Sequence, residues 1–271
     1  MNPTVGKKIN LPAAHFNHMT EFQTTDELDN IAMDLDQMRT QSLLICERIL
    51  GATHKDAIFR FMYRGAAYAD SLRYQQCIDL WKYALELRVI KDTLLYNETC
   101  FAAKALVKIF LDLYEKHECG MLREELHLRD VVEALGLLGR HLKPSVELLN
   151  ARPVFKRHQD NFDRILNCVS HLLYLVTRIQ PADAAERLQS MQLVRLIVDT
   201  DVRNSNGETL LHLAANRDNL MKSSNYFDEP QGAFFPSVAV AKLLLDCGAD
   251  VAAVDYFNNT ALHVACKVNN P

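Results

Sequence analysis

Four side chains are of the right kind, and close enough in sequence, to begin a metal site: His15 with His18, and His117 with Cys119. A structural zinc site needs four imidazole or thiolate ligands, supplied as two closely spaced pairs. Neither pair has such a companion, so no metal and no cofactor is expected. Nucleophilic and phosphate chemistry lack their frames as well. There is no Gly-x-Ser-x-Gly elbow, no His-Glu-x-x-His helix, and no Gly-x-x-x-x-Gly-Lys-Ser/Thr or Gly-x-Gly-x-x-Gly loop. No catalytic residue is assigned, and the chain reads as non-enzymatic.

Two other histidines recur in one frame. Thr209-Leu-Leu211-His212-x-Ala214 and Thr260-Ala-Leu262-His263-x-Ala265 follow the ankyrin signature Thr-Pro-Leu-His-x-Ala. The imidazole of that motif hydrogen-bonds a backbone turn, so His212 and His263 are expected to be structural. A turn precedes each frame, Asn204-x-x-Gly207 and Asp255-x-x-Asn258, and asparagine tolerates the left-handed turn position best after glycine. Val240 to Asp250 reads as a second ankyrin helix with Gly248 as its stop. The two threonines stand 51 residues apart (260 − 209), whereas an ankyrin unit takes about 33. An inserted loop at about 217–236 accounts for the surplus, and the chain stops after the first helix of the last unit.

The elements before residue 191 must supply the rest of the scaffold. Phe61-x-x-Arg64-Gly65-x-x-Tyr68 followed by Cys77-x-x-x-Trp81 fits the tetratricopeptide pattern. Small residues, Gly65 and Cys77, would let two helices cross closely, and Phe61, Tyr68 and Trp81 would fill the space beside the crossing. The spacing predicts helices over 57–69 and 73–87 with Asp70-Ser71 at the turn, another over 38–50 ended by Gly51, and a short one over 184–198. From 94 to 180 the apolar spacing stays helical until Pro181. The fold class is therefore all-α: an α-solenoid of tetratricopeptide-like helical repeats followed by ankyrin repeats. The expected division is a disordered or extended segment over 1–25, a helical domain over 26–190, and two ankyrin repeats over 191–271, the last truncated.

Composition agrees with such a scaffold. Apolar residues make up 49% of the 271 and charged residues 24%, enough for a buried core, while nine glycines and eight prolines are few. A net charge of −4 offers no basic face for nucleic acid, and no apolar run is long enough for a membrane span. Seven cysteines without a Cys-x-x-Cys pair read as reduced thiols of a cytosolic or nuclear protein.

Binding surfaces are then the functional question. Repeat scaffolds bind along their concave face, and on the first helix of the tetratricopeptide-like pair that face holds Phe59, Met62, Ala66 and Ala69. These are apolar, unlike the Lys and Asn expected of a clamp for chaperone C-termini. Trp81 falls at a core position. Arg140, His141, Lys143, Arg152, Lys156, Arg157 and His158 form a basic stretch between helices. Its plain reading is a solvated connector. Its sharper reading is a seat, centred on Arg152 and Lys156, for an acidic partner segment or a C-terminal carboxylate. Tyr256 and Phe257 would project from the second ankyrin turn, as contacts for a partner or as packing on a neighbouring repeat.

The order of parts is itself informative. Glu47-Arg48-Ile49-Leu50-Gly51, Tyr63-Arg64-Gly65-Ala66-Ala67-Tyr68-Ala69-Asp70, Cys77-Ile78-Asp79-Leu80-Trp81, Lys242-Leu243-Leu244-Leu245-Asp246-Cys247-Gly248-Ala249 and Thr260-Ala261-Leu262-His263 together resemble the middle and later part of the Fem (feminization) proteins, over about residues 20–271. The resemblance implies a substrate-recognition subunit of a cullin-RING ubiquitin ligase, with protein substrates as partners and elongins B and C and a cullin held through a C-terminal box. It also implies that catalysis belongs to other subunits. This chain departs from that plan at both ends: no ankyrin array lies before residue 38 and no elongin box is present. No pocket or elongin-contacting residue is carried over, and the chain alone is expected not to bind elongins. The alternative class is a general repeat adaptor unconnected with ubiquitin.

Overall fold

The computed structural model describes residues 12–151, 155–221 and 234–268. Among them are eleven α-helices, one 3-10 turn and no strand beyond a single Val254–Thr260 bridge, so the fold is all-α. None of these helices is long and apolar enough to cross a membrane. The chain packs as two compact units, Met1–Lys91 and Asp92–Pro271.

In the first unit, α1 (Thr25–Ile31), α2 (Leu35–Leu50), α3 (Lys55–Asp70) and α4 (Tyr74–Asp92) follow one another. Each of the first three starts on a side chain that accepts orphan backbone N–H groups: Thr24 from Glu27, Asp34 from Asp36 and Gln37, and His54 from Asp56. Gly51, at φ 90°, ends α2. The close crossing expected at Gly65 is present: a Cβ there would lie 2.1 Å from Trp81 Nε1. That indole N–H donates to the Met62 carbonyl oxygen at 3.0 Å. Leu44, Ile58, Phe61, Ile78 and Ala84 are wholly buried. Burial of each larger side chain contributes about 1.5–3 kcal/mol. Arg64 and Arg73 both bond the Asp36 carboxylate and both lie over the Tyr68 ring, joining the start of α2 to the α3–α4 turn.

Residues 1–11 of the expected N-terminal segment lie outside the described residues, and within 12–24 Phe16 and Glu21 are buried. Phe16 is buried against Phe61, and His15 stacks on Tyr83 with centroids 3.7 Å apart. Gln41 donates to the Thr20 carbonyl and accepts from the Phe22 N–H. The polar sequence concealed this because its few apolar anchors find partners only far along the chain.

The second unit opens with α5 (Asn97–Glu118), α6 (Leu128–Ala151) and α7 (Lys156–Arg178). Arg164 reaches Asn97 near the helix starts, and Arg178 donates to Tyr114 near their ends, so α5 and α7 run parallel. α6, which carries Pro144 within it, packs against α7. Leu106, Phe110, Val131, Leu135, Phe162 and Val169 fill the core. Then come α8 (Ala184–Val198), α9 (Leu210–Ala215), α10 (Val238–Asp246) and α11 (Ala261–Val268). α9 and α10 pack on α7. The apolar side of α7 is shared with the ankyrin helices, and the division falls at 91/92.

The insertion leaves and returns at one point. Ser237 N–H donates to the Ala214 carbonyl at 2.9 Å, closing its base. At its returning end Phe235 is buried, and Phe234 and Phe235 pack around His171 and Tyr174 of α7. Burial pulls the His171 imidazole down to about 4, so it is neutral at physiological pH.

Candidate protein-binding surfaces

The two ankyrin turns share one construction. In the first, Asn204 Oδ1 accepts from the N–H groups of Asn206 and Glu208, and its amide donates to Glu208 Oε2 at 2.6 Å. In the second, Asp255 Oδ1 accepts from the N–H groups of Phe257 and Asn259, and the Asn259 amide donates back to Asp255. Amide and carboxylate have exchanged places while the pair and its single charge are kept. Gly207 and Asn258 hold the left-handed position of their turns at φ 78° and 59°.

His212 and His263 are structural, as their frame implies. Each accepts its own threonine's backbone N–H at Nδ1, at 3.2 Å. His212 also uses its other nitrogen: Nε2 lies 2.9 Å from the Asn259 carbonyl oxygen and so bonds the neighbouring turn. The Tyr256 N–H donates to the Asn206 carbonyl, and Arg203 reaches the Val254 carbonyl at 2.8 Å. The Tyr256 ring covers Gly207 closely enough that a Cβ there would lie 2.6 Å from it. Yet Tyr256 and Phe257 each keep 72% of their surface exposed. Tyr256 is thus both packed on a neighbour and available. Phe257 stands at the edge of an open groove of about 700 Å³, walled by Asn206, Glu208, Asp218, Asp255 and Lys267.

On α3, Phe59 is exposed, while Met62, Ala66 and Ala69 are half-buried. Trp81 is also half-buried, seated on Gly65, so its pattern position is only partly core. Sequence reasoning passed over Tyr63, which is exposed and stacks on Phe59 at 6.4 Å. Aromatics four apart on a helix are neighbours, and that spacing was the available signal. Arg152 lies outside the described residues. Lys156 is the exposed first residue of α7, beside exposed Arg157.

No group of three or more His, Cys, Asp or Glu among the described residues could hold a metal ion. Burial pushes the Cys77, Cys100 and Cys168 thiols up to about 12, which keeps them protonated and inert. Cys119 and Cys266 are exposed.

These features define a class: a helical-repeat protein whose surfaces suit binding to other proteins. The ankyrin repeat family model matches residues 206–256. Along nearly its whole length the chain is similar to Fem-1 proteins. It is 35% identical to human protein fem-1 homolog A over 257 residues, 94% of this chain and 37% of that protein. The zebrafish (Danio rerio) fem-1 homolog A is 35% identical over 99% of this chain and 41% of its own length. Zebrafish fem-1 homolog C is 30% identical over 96% and 41% respectively. The resemblance to the Fem family is borne out, and the chain spans about two fifths of the length of these curated relatives.

Proposed function

We propose that this chain is a non-catalytic, protein-binding scaffold of a substrate-recognition subunit of a cullin-RING ubiquitin ligase. The observation that carries the reading is similarity to Fem-1 proteins over nearly the full chain. The geometry supports a binding role. The buried nucleophiles are protonated thiols, whereas Phe59, Tyr63, Tyr256 and Phe257 stand exposed on rigid helices and turns. Rigid aromatics of this kind anchor protein interfaces at low entropic cost. In this reading protein substrates contact the α3 face (Phe59, Met62, Ala66, Ala69) and the second ankyrin turn. Elongins B and C and a cullin join through a box outside these 271 residues. The tetratricopeptide character of α3 and α4, and a cytosolic or nuclear location, belong to the same proposal.

The test is purification, from cells, of the tagged product of the complete gene. Stoichiometric elongin B, elongin C and a cullin are expected. Their absence, with other proteins retained, would leave a general repeat adaptor as the better reading.

A further inference from the structure

Residues 12–24 form one 3-10 turn, Ala14–Phe16, and otherwise run as irregular chain across three helices. On α4, the His15 ring lies flat on Tyr83, with centroids 3.7 Å apart and planes 6° from parallel. On α3, the Phe16 ring meets Phe61 edge-on, and the Asn17 amide donates to the Tyr68 hydroxyl at 3.0 Å. On α2, Gln41 reads the strap's backbone in both directions. Its amide donates to the Thr20 carbonyl at 2.9 Å, and its oxygen accepts from the Phe22 N–H at 3.1 Å. Arg48 holds the Glu21 carboxylate with two donors, at 2.8 and 3.0 Å. Phe16 and Glu21 keep only 2% and 4% of their surface exposed, whereas Ala14, His18, Thr20 and Gln23 between and beside them are exposed.

This is how a groove holds a peptide. A glutamine that bonds one backbone carbonyl and one backbone N–H accepts any side chain. A two-donor arginine selects a carboxylate, and an aromatic floor selects another ring. The specificity of the contact thus sits in two anchors, Phe16 and Glu21, five residues apart. The floor is built without the strap: Phe61 is a core residue of α3, and the Tyr83 hydroxyl donates to Glu47 of α2. The strap, in contrast, depends on the floor. Asn17 and His18 are consecutive left-handed residues, at φ 53° and 57°. That conformation is unfavourable for side chains with a Cβ and persists where flanking contacts impose it. Release of the strap relieves it.

We propose that the groove of α2, α3 and α4 is a binding site for an extended segment of a partner protein, one that carries an aromatic residue followed five positions later by a carboxylate, and that residues 12–24 fill it in cis as an autoinhibitory strap. The seated strap defines the occupant's chemistry. Because it is tethered, it acts at an effective concentration on the order of millimolar, so a partner segment must match both anchors to displace it. The proposal goes beyond the scaffold role, and its test involves no ligase component, so its failure leaves that reading untouched.

The probe is a fluorescein-labelled peptide of residues 12–24, titrated into the whole chain and followed by anisotropy. The wild-type chain, its groove filled, should bind weakly. Phe16→Ala with Glu21→Gln in the chain opens the groove and should tighten binding at least ten-fold. The peptide should also raise the melting temperature of that variant by several degrees and leave the wild type's unchanged, a readout that holds even where the open groove lowers stability. Adding Arg48→Glu to the variant should abolish the gain, and a peptide carrying Glu21→Lys should recover it. A peptide that keeps only the Phe and the Glu at their spacing, with glycine at the two left-handed positions and alanine or serine elsewhere, should bind within ten-fold of the native one. Neither tighter binding nor a melting shift on opening the groove would overturn the proposal. So would equal binding of peptides with Phe16→Ala or Glu21→Gln, or failure of the peptide that keeps only the two anchors.

Discussion

The two ankyrin turns carry one motif in two environments. In the first, Leu211 and His212 are 5% and 0% exposed, with α10 and α11 packed on α9 and His212 Nε2 bonded to the second turn. In the second, Leu262 is 70% exposed, and His263 is exposed with only its own turn's bonds among the described residues. A signature thus fixes a local conformation, while its stabilising energy comes from the neighbour that covers it. The first frame gains a histidine bridge and a buried leucine by being stacked upon, and the second retains only its own turn.

The largest expected contrast is at the leucines. Leu211→Ala should cost about 2–5 kcal/mol, because it opens a cavity in a closed interface. Leu262→Ala should change stability by no more than about 0.5 kcal/mol. Urea unfolding of the whole chain measures both, and equal costs would break the comparison. The histidines should differ less. His212→Ala removes a bond to each turn and strands the Asn259 carbonyl, a loss of about 1–3 kcal/mol, against less than about 1 kcal/mol for His263→Ala.

The glycines sharpen the comparison further. Gly207 and Gly248 both have positive φ, so alanine at either costs about 1–2 kcal/mol. Only Gly207 also lies under a ring, that of Tyr256, and nothing approaches Gly248. Gly207→Ala should therefore cost about 1 kcal/mol more, with the excess relieved by adding Tyr256→Ala. Thermal unfolding of the single and double variants checks this.

The smallest effect concerns the exchanged amide and carboxylate. Burial raises the Asp255 carboxyl, but the Asn259 side chain, the Asn259 N–H and the Phe257 N–H outweigh it and hold the carboxyl below its ordinary value. A lowered folded value stabilises above the ordinary 3.8 and loses that contribution as pH falls through and below it. Asn204→Asp places a second carboxylate beside Glu208. The variant should therefore be weakened at neutral pH and should recover as acid protonates the pair. Adding Glu208→Asn recreates the second turn's arrangement and should restore neutral stability. Melting temperatures at pH 4 and pH 7 follow both outcomes.

Much of this was legible in residues whose determinants are local. The left-handed Asn258, the stop at Gly248, helix α8, the Gly65–Trp81 crossing and the structural histidines each need only a short window of sequence. What the sequence concealed depends on partners far away along the chain. Phe16 finds Phe61, Phe235 finds His171, and Tyr96 meets His158. No spacing rule connects such pairs, because the intervening helices, not the local pattern, set the distance. The α3 face was read from spacing alone as Phe59, Met62, Ala66 and Ala69, and the exposed Tyr63, four residues after Phe59, was left out of it.

The central claim, that the chain scaffolds a substrate receptor, is tested most directly by protein turnover. Proteins captured by the product of the complete gene are followed by quantitative proteomics in cells with and without that gene, and with cullin activation blocked. The account predicts that a subset of the captured proteins accumulates to the same extent in both perturbations. Unchanged abundance of every captured protein would contradict it.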